Sequence, residues 1–142
     1  LEGFCTRDDW TRAYNEMNAF EDELVGCGAI VIKFWIHIDK DEQLVRFTAR
    51  QNTPSKQWKI TDEDWRNRDK WDQYEIAVND MLKYTSTPFA PWHIIESNDK
   101  KYARVKTIRI INDTIIDELR RRGIDPDGKP TGKEDGKKGG WY

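Results

Sequence analysis

The stretch RFTARQNTPSKQWKITDEDWRNRDKW, from Arg46 to Trp71, holds the residues of this chain best suited to chemistry. Arg46, Arg50, Lys56, Lys59, Arg66, Arg68 and Lys70 are interleaved there with Trp58, Trp65 and Trp71. Guanidinium forks grip phosphate oxygens two at a time, and ammonium groups add point charge. Arg46 and Arg50 stand four apart and would share a helix face, whereas Arg66 and Arg68 stand two apart and would diverge. Asn52, Thr53 and Pro54 mark a turn between them. Such a segment, spanning residues 40–72, suits a lid that closes over a polyanion. The competing reading is a solvated helical hairpin. Asp41, Glu42, Asp62, Glu63, Asp64 and Asp69 lie in or beside the stretch and leave it little net charge.

A second candidate is the turn Asn98-Asp99-Lys100. Both groups follow the carboxyl end of an expected strand, where ligands of open α/β sheets sit. They are therefore expected to meet at one site. Phosphoryl transfer needs little beyond positioning and charge stabilisation, so converging arginines suffice for a catalytic part without a nucleophile. Other chemistries find no support. There is no phosphate-binding G-x-x-x-x-G-K-[ST] loop, no HExxH and no GxSxG. Gly26-Cys27-Gly28 precedes a strand and reads as a helix terminator. Two histidines, His37 and His93, are too few for a histidine-based metal site, and Asp62 and Asp64 read first as helix N-terminal charges.

The elements that must position these residues alternate along the chain. Thr6 caps an amphipathic helix whose stripe is Trp10, Ala13, Tyr14, Met17, Phe20 and Leu24. Ala29 to Ile38, AIVIKFWIHI, is continuously apolar enough for a strand buried on both faces of a parallel sheet. Lys33 and His37 interrupt it, either as functional groups or as a snorkelling lysine and a hydrogen-bonded histidine. Asp39 starts a helix with Leu44, Val45 and Phe47 facing inward. Thr61 starts one long helix carrying Trp65, Trp71, Tyr74, Val78, Met81 and Leu82. Pro88 and Pro91 hold a loop extended before a short strand, Trp92 to Glu96. Asn98 and Asp99 cap a last helix striped by Tyr102, Val105, Ile108, Ile111, Ile115 and Leu119, which Gly123 ends. The rest is polar, and residues 123–142 are expected to be a disordered tail.

This order predicts an α/β domain with right-handed parallel crossovers. Two strands make too small a sheet, so they require neighbours from a longer protein or from another chain. The 142 residues suit one domain. Net charge is −2, so any anion site must be local, and nucleic acid is not an expected partner. Two unclustered cysteines, Cys5 and Cys27, favour a reducing cytosol, and no run is long and apolar enough for a membrane helix.

Four stretches together resemble the polyphosphate kinase type 2 family, and most closely its polyphosphate:AMP phosphotransferase branch. They are EGFCT at residues 2–6, VIKFWIHIDKDEQLVRFTAR, TPSKQWKITDEDWRNRDKWDQY, and TSTPFAPWHIIESNDKKYARVK, in family order and spacing. The resemblance implies a three-layer α/β/α P-loop kinase-like fold with a parallel sheet and helical lid. It implies phosphoryl transfer between inorganic polyphosphate and an adenine nucleotide, AMP or ADP. Arg46, Arg50, Arg66 and Arg68 fall on the family's catalytic lid positions, with Lys56, Lys59 and Arg104 on polyphosphate-binding ones. Asn98, Asp99 and Lys100 fall on its nucleotide-site loop, where Asp99 reads equally as a helix cap. The family's Gly-rich loop and Asp-Arg-Ser-Trp-Tyr segment have no counterpart here. Residues 1–122 are thus expected to be the C-terminal part of such a domain. Its Mg²⁺ ligands are then expected upstream, and these residues alone are not expected to catalyse. A cytoplasmic homo-oligomer is the expected context. Two alternatives stand beside this reading: a non-catalytic polyanion-binding module, and a subunit that completes another chain's P-loop domain.

Overall fold

The structure, a computed structural model, describes residues 5–126. Most of the expected polar tail lies outside those residues. Helix α1, Arg7–Gly26, starts where the sequence indicates. The Asp9 amide donates to Thr6 Oγ1 at 3.2 Å, and the Thr6 amide donates back to Asp9 Oδ2 at 3.0 Å. The Thr6 hydroxyl also donates to Asp9 Oδ2, at 2.6 Å, and with the Thr6 amide it holds the Asp9 carboxyl below its usual range. Gly28, at φ 92°, then turns the chain toward the sheet in a conformation only glycine adopts cheaply.

Strand β1, Lys33–His37, pairs in parallel with β2, Trp92–Glu96, in the register Lys33↔Trp92 through His37↔Glu96. β1 is shorter than the expected run from Ala29. Extending the register backward would set Ile32 against Pro91 and Ala29 against Pro88, and proline has no amide to donate. The helices cover only part of each sheet face. Ile95 is fully buried, but its neighbours Ile36 and Ile94, on opposite faces, are 54% and 48% exposed. The expectation of strands buried on both faces is therefore met only by Ile95.

α1 packs against α4, Trp71–Thr85, through stacked rings of Tyr14 and Tyr84, 6.0 Å between centroids, and an Asn18 amide donating to Tyr84 O at 2.9 Å. Lys33 neither snorkels nor faces a cleft. Its Nζ donates to Glu21 Oε2 at 2.6 Å and to Thr85 O at 2.5 Å, joining α1, β1 and α4. Trp92 Nε1 donates to the buried Thr85 hydroxyl at 2.8 Å and completes this knot.

Helix α2, Lys40–Gln51, is capped by Asp39, which accepts from the Glu42 amide at 2.7 Å. Its packed side is Gln43, Arg46, Phe47 and Arg50, one stripe at three- and four-residue steps. Leu44 and Val45, expected inward, lie off that stripe and are exposed. Phe47 is buried edge-on against Trp65, 5.2 Å between centroids. A 3-10 helix, Pro54–Lys59, follows.

The single long helix expected from Thr61 is instead two, α3 (Asp62–Asp69) and α4, with a break at Lys70. Trp65 of α3 must reach Phe47 on α2, while Tyr84 of α4 must reach α1. One straight helix does not serve both surfaces. Helix α5, Lys100–Arg121, buries Ala103 and leaves Tyr102, Val105 and Ile108 exposed, so the expected inward stripe faces out along its first turns. Gly123, at φ 74°, follows its end as expected.

Candidate functional site

The two strands end side by side. The Ser97 amide donates to His37 O at 2.7 Å, and beyond it Asn98 Nδ2 donates to Asp39 Oδ2 at 2.5 Å. α2 and α5 both leave from this edge. Asp99 caps α5 by accepting from the Lys101 and Tyr102 amides at 2.7 and 3.1 Å. Of the two readings of Asp99, the geometry gives the cap. Asn98 is likewise occupied in clasping Asp39, whose carboxyl is held below its usual range by the Glu42 amide and by Asn98.

Beside this edge lies a cavity of about 240 Å³ lined by Arg46, Ala49, Arg50, Lys56, Lys59 and Lys100. Local geometry explains the convergence. Arg46, Ala49 and Arg50 share a face of α2, and Lys56 and Lys59 are three apart on a 3-10 helix, where such residues eclipse. The 3-10 helix is folded back onto α2: Gln57 Nε2 donates to Gln51 O at 2.8 Å, and Thr53 Oγ1 donates to Ala49 O at 2.7 Å. Lys100 arrives from the first turn of α5. The lid segment and the Asn98-Asp99-Lys100 turn therefore do meet, through Lys100.

No carboxylate lines this cavity. Five cationic side chains around one small space repel one another, a cost that an anion in that space would remove. Arg46 is the partial exception. Its Nε donates to Glu42 Oε1 at 2.7 Å, and its Nη2 donates to the carbonyls of Ser97 at 2.5 Å and Asn98 at 3.3 Å. Arg46 thus fastens α2 to the loop after β2. Lys59 lies over the Trp58 ring, 5.0 Å from its centroid, and Trp58 itself is 75% exposed at the mouth of the segment. Among the described residues, Arg50 and Lys56 have no ion-pair partner.

Besides Asn98 and Asp99, three of the expected site residues, all arginines, do not line this pocket. Arg68 points to α2, donating from Nη1 to Lys40 O and, at 3.1 Å, to Gln43 Oε1. Arg66 is exposed on α3. Arg104 lines a separate cavity of about 330 Å³ with Ile36, Ser97, Thr107 and Ile108, which shares Lys100 with the first. Glu96 of β2 pairs with Lys106 of α5. That contact lowers the Glu96 pKa and raises that of Lys106.

A third cavity, about 490 Å³, was not foreseen from the sequence. It lies between the sheet and α2, α3 and α4, and its lining includes Trp35, His37, Asn67, Trp71, Tyr74 and Asn79. The tryptophans and tyrosine had read as core, and asparagines on a helix carry no sequence signal of a site. Among the described residues no group of three or more His, Cys, Asp or Glu is placed to hold a metal.

The profile of the polyphosphate kinase 2 family matches residues 1–123. A polyphosphate:AMP phosphotransferase of Pseudomonas aeruginosa is 59% identical over 81% of this chain and 23% of its own length. A GDP-polyphosphate phosphotransferase of Mycolicibacterium smegmatis is 39% identical over 77% of this chain and 38% of its own. The solved polyphosphate kinase 2 of Arthrobacter aurescens superposes with a TM-score of 0.74 at 34% identity, covering 94% of this chain and 44% of that one. The chain thus spans about a quarter to two-fifths of the length of these curated relatives. The profile match over most of the sequence, the identity to these relatives and the shared backbone lead to one assignment: the chain belongs to the polyphosphate kinase 2 family.

Proposed function

We propose that this chain supplies the lid and C-terminal elements of a polyphosphate-dependent nucleotide phosphotransferase. The observation that carries the proposal is the cavity walled by Arg46, Arg50, Lys56, Lys59 and Lys100, with no carboxylate in its lining. In this reading Arg50, Lys56, Lys59 and Lys100 hold the anionic chain of polyphosphate and offset charge developing on the moving phosphoryl group. Arg46 keeps α2 at the strand ends, so that Arg50 faces the cavity. Arg68 does the same for α3. The substrates proposed are polyphosphate and AMP or ADP, in line with the names of the relatives.

The proposed setting is a P-loop kinase-like α/β/α domain in the cytoplasm. Unpaired strand edges and half-exposed Ile36 and Ile94 support a catalytic unit containing more strands than the two described. The same observation favours a second reading, in which those strands come from another chain. Among the described residues no helix is long and apolar enough to cross a membrane.

The test is kinetic. In the longest form of the enzyme that contains this chain, Arg50→Ala is expected to lower kcat/KM for polyphosphate-driven conversion of AMP to ADP at least ~10-fold, or about 1.4 kcal/mol. Unchanged kinetics would remove Arg50 from the site.

A further inference from the structure

Trp58 stands in the 3-10 helix Pro54–Lys59, and among the described residues it is the one tryptophan left exposed, at 75%. A ring of that size usually sits where its area is buried. Here it is turned back on its own helix. Its Nε1 donates to Ser55 O at 3.1 Å, and its face meets the Lys59 ammonium, 5.0 Å from the ring centroid. Both contacts stay between Ser55 and Lys59, so neither ties the helix to the rest of the fold. Trp58 does not line the cationic cavity, whereas Lys59 does.

Lys59 needs such a contact. It is the last residue of its helix, and Arg46, Arg50, Lys56 and Lys100 line the same cavity. Their like charge pushes its ammonium outward on a flexible stem. Among the described residues it has no hydrogen-bond or ion-pair partner to oppose that push. An aromatic face opposes it, because the ring quadrupole attracts a cation. A carboxylate would hold Lys59 too, as Glu42 holds Arg46 and Glu21 holds Lys33, but it would repel a polyanion. The indole adds no negative charge. An ammonium has three N–H donors, so one side can face the ring while the others face phosphate.

We propose that Trp58 is a positioning residue for polyphosphate binding. Its ring holds the Lys59 ammonium at the cavity, and its bond to Ser55 fixes the ring. The proposal rests on the phosphotransferase reading and adds to it a residue that acts without touching the anion.

Calorimetric titration with inorganic tripolyphosphate tests this in the longest form of the enzyme that contains this chain. The variants are Trp58→Leu, Trp58→Phe, Lys59→Ala and the pair Trp58→Leu with Lys59→Ala. Trp58→Leu and Lys59→Ala are each expected to weaken binding at least ~3-fold. Once Lys59 is alanine, Trp58→Leu should add nothing, because a residue that acts only through another is coupled to it. Trp58→Phe keeps an aromatic face and should bind closer to the parent than Trp58→Leu does. All four should unfold at the parent's denaturant concentration, since the ring is exposed. Parent-like binding by Trp58→Leu while Lys59→Ala binds weakly overturns the role of Trp58 and leaves the cationic pocket standing. So does an equal loss from Trp58→Leu with and without Lys59, or binding by Trp58→Phe as weak as that of Trp58→Leu. Parent-like binding by Lys59→Ala removes Lys59 from the polyphosphate site, and the proposal falls with that part of the reading beneath it.

Discussion

Asn98 Nδ2 donates to Asp39 Oδ2 at 2.5 Å, and the Asp39 amide donates to Asn98 Oδ1 at 3.3 Å, so the loops after the two strands are clasped. This clasp holds the starts of α2 and α5 together, and with them Arg50 and Lys100. The sequence resemblance placed Asn98 in a nucleotide-site loop. Its visible work is to hold that loop in register with its neighbour.

The clasp has a pH signature. Asp39 is held below its usual value of 3.8 by the Glu42 amide and by Asn98. A depressed carboxyl contributes stability that is fully present above the ordinary value and is lost as pH falls through the lower folded one. Asn98→Ala removes the second largest of the lowering causes, so the Asp39 midpoint should move up toward 3.8. A carboxyl-resolved NMR titration reads this directly. An unchanged midpoint in the variant would mean that the amide of Asn98 does not act on Asp39.

Arg46 and Arg50 share a helix face but should behave differently when removed. The Arg46 side chain is 17% exposed and bonded to Glu42, Ser97 and Asn98. Arg46→Ala strands those acceptors and should cost about 1.5–3 kcal/mol in urea unfolding. Arg50→Ala, with no such partner among the described residues, should stay within about 0.5 kcal/mol. Equal losses would contradict the division between a fastening arginine and a binding one.

The ion pair of Lys33 and Glu21 is the most deeply placed one described, with side chains 10% and 13% exposed. Breaking it by Glu21→Gln leaves an ammonium group in a confined space and should cost about 3 kcal/mol or more. Replacing both partners, by Lys33→Met with Glu21→Leu, should recover most of that loss. Chemical denaturation of the two variants decides the point, and a double variant no more stable than the single would argue against it.

Elements with local signals were legible in the sequence, whereas tertiary demands were not. Thr6, Asp39 and Asp99 mark helix starts because a capping side chain acts within three residues. β2 was placed at its observed bounds because Pro91 stops it on one side and the Asp99 cap on the other. The break at Lys70 was not visible, since no glycine or proline marks it and it answers to partners on α1 and α2. The outward face of α5 was misread for a related reason. Periodicity identifies an apolar stripe but not whether the chain carries anything to cover it. The meeting of Arg50, Lys56, Lys59 and Lys100 followed from the strand-end rule. The distinct contacts of Arg68 and Arg104 did not, because spacing alone says nothing of which neighbour a long side chain reaches.

The most direct measurement is the affinity of the chain for inorganic tripolyphosphate at about 50 and about 200 mM salt, for the parent and for a variant combining Arg50→Ala with Lys56→Ala. An anion held by several lysines and arginines should bind at least ~10-fold more weakly at the higher salt. The double variant should bind at least ~10-fold more weakly at the lower salt while unfolding at the same denaturant concentration as the parent. Equal affinity of parent and variant, or no binding by either, would contradict the assignment of the Arg50–Lys56–Lys59–Lys100 pocket to polyphosphate.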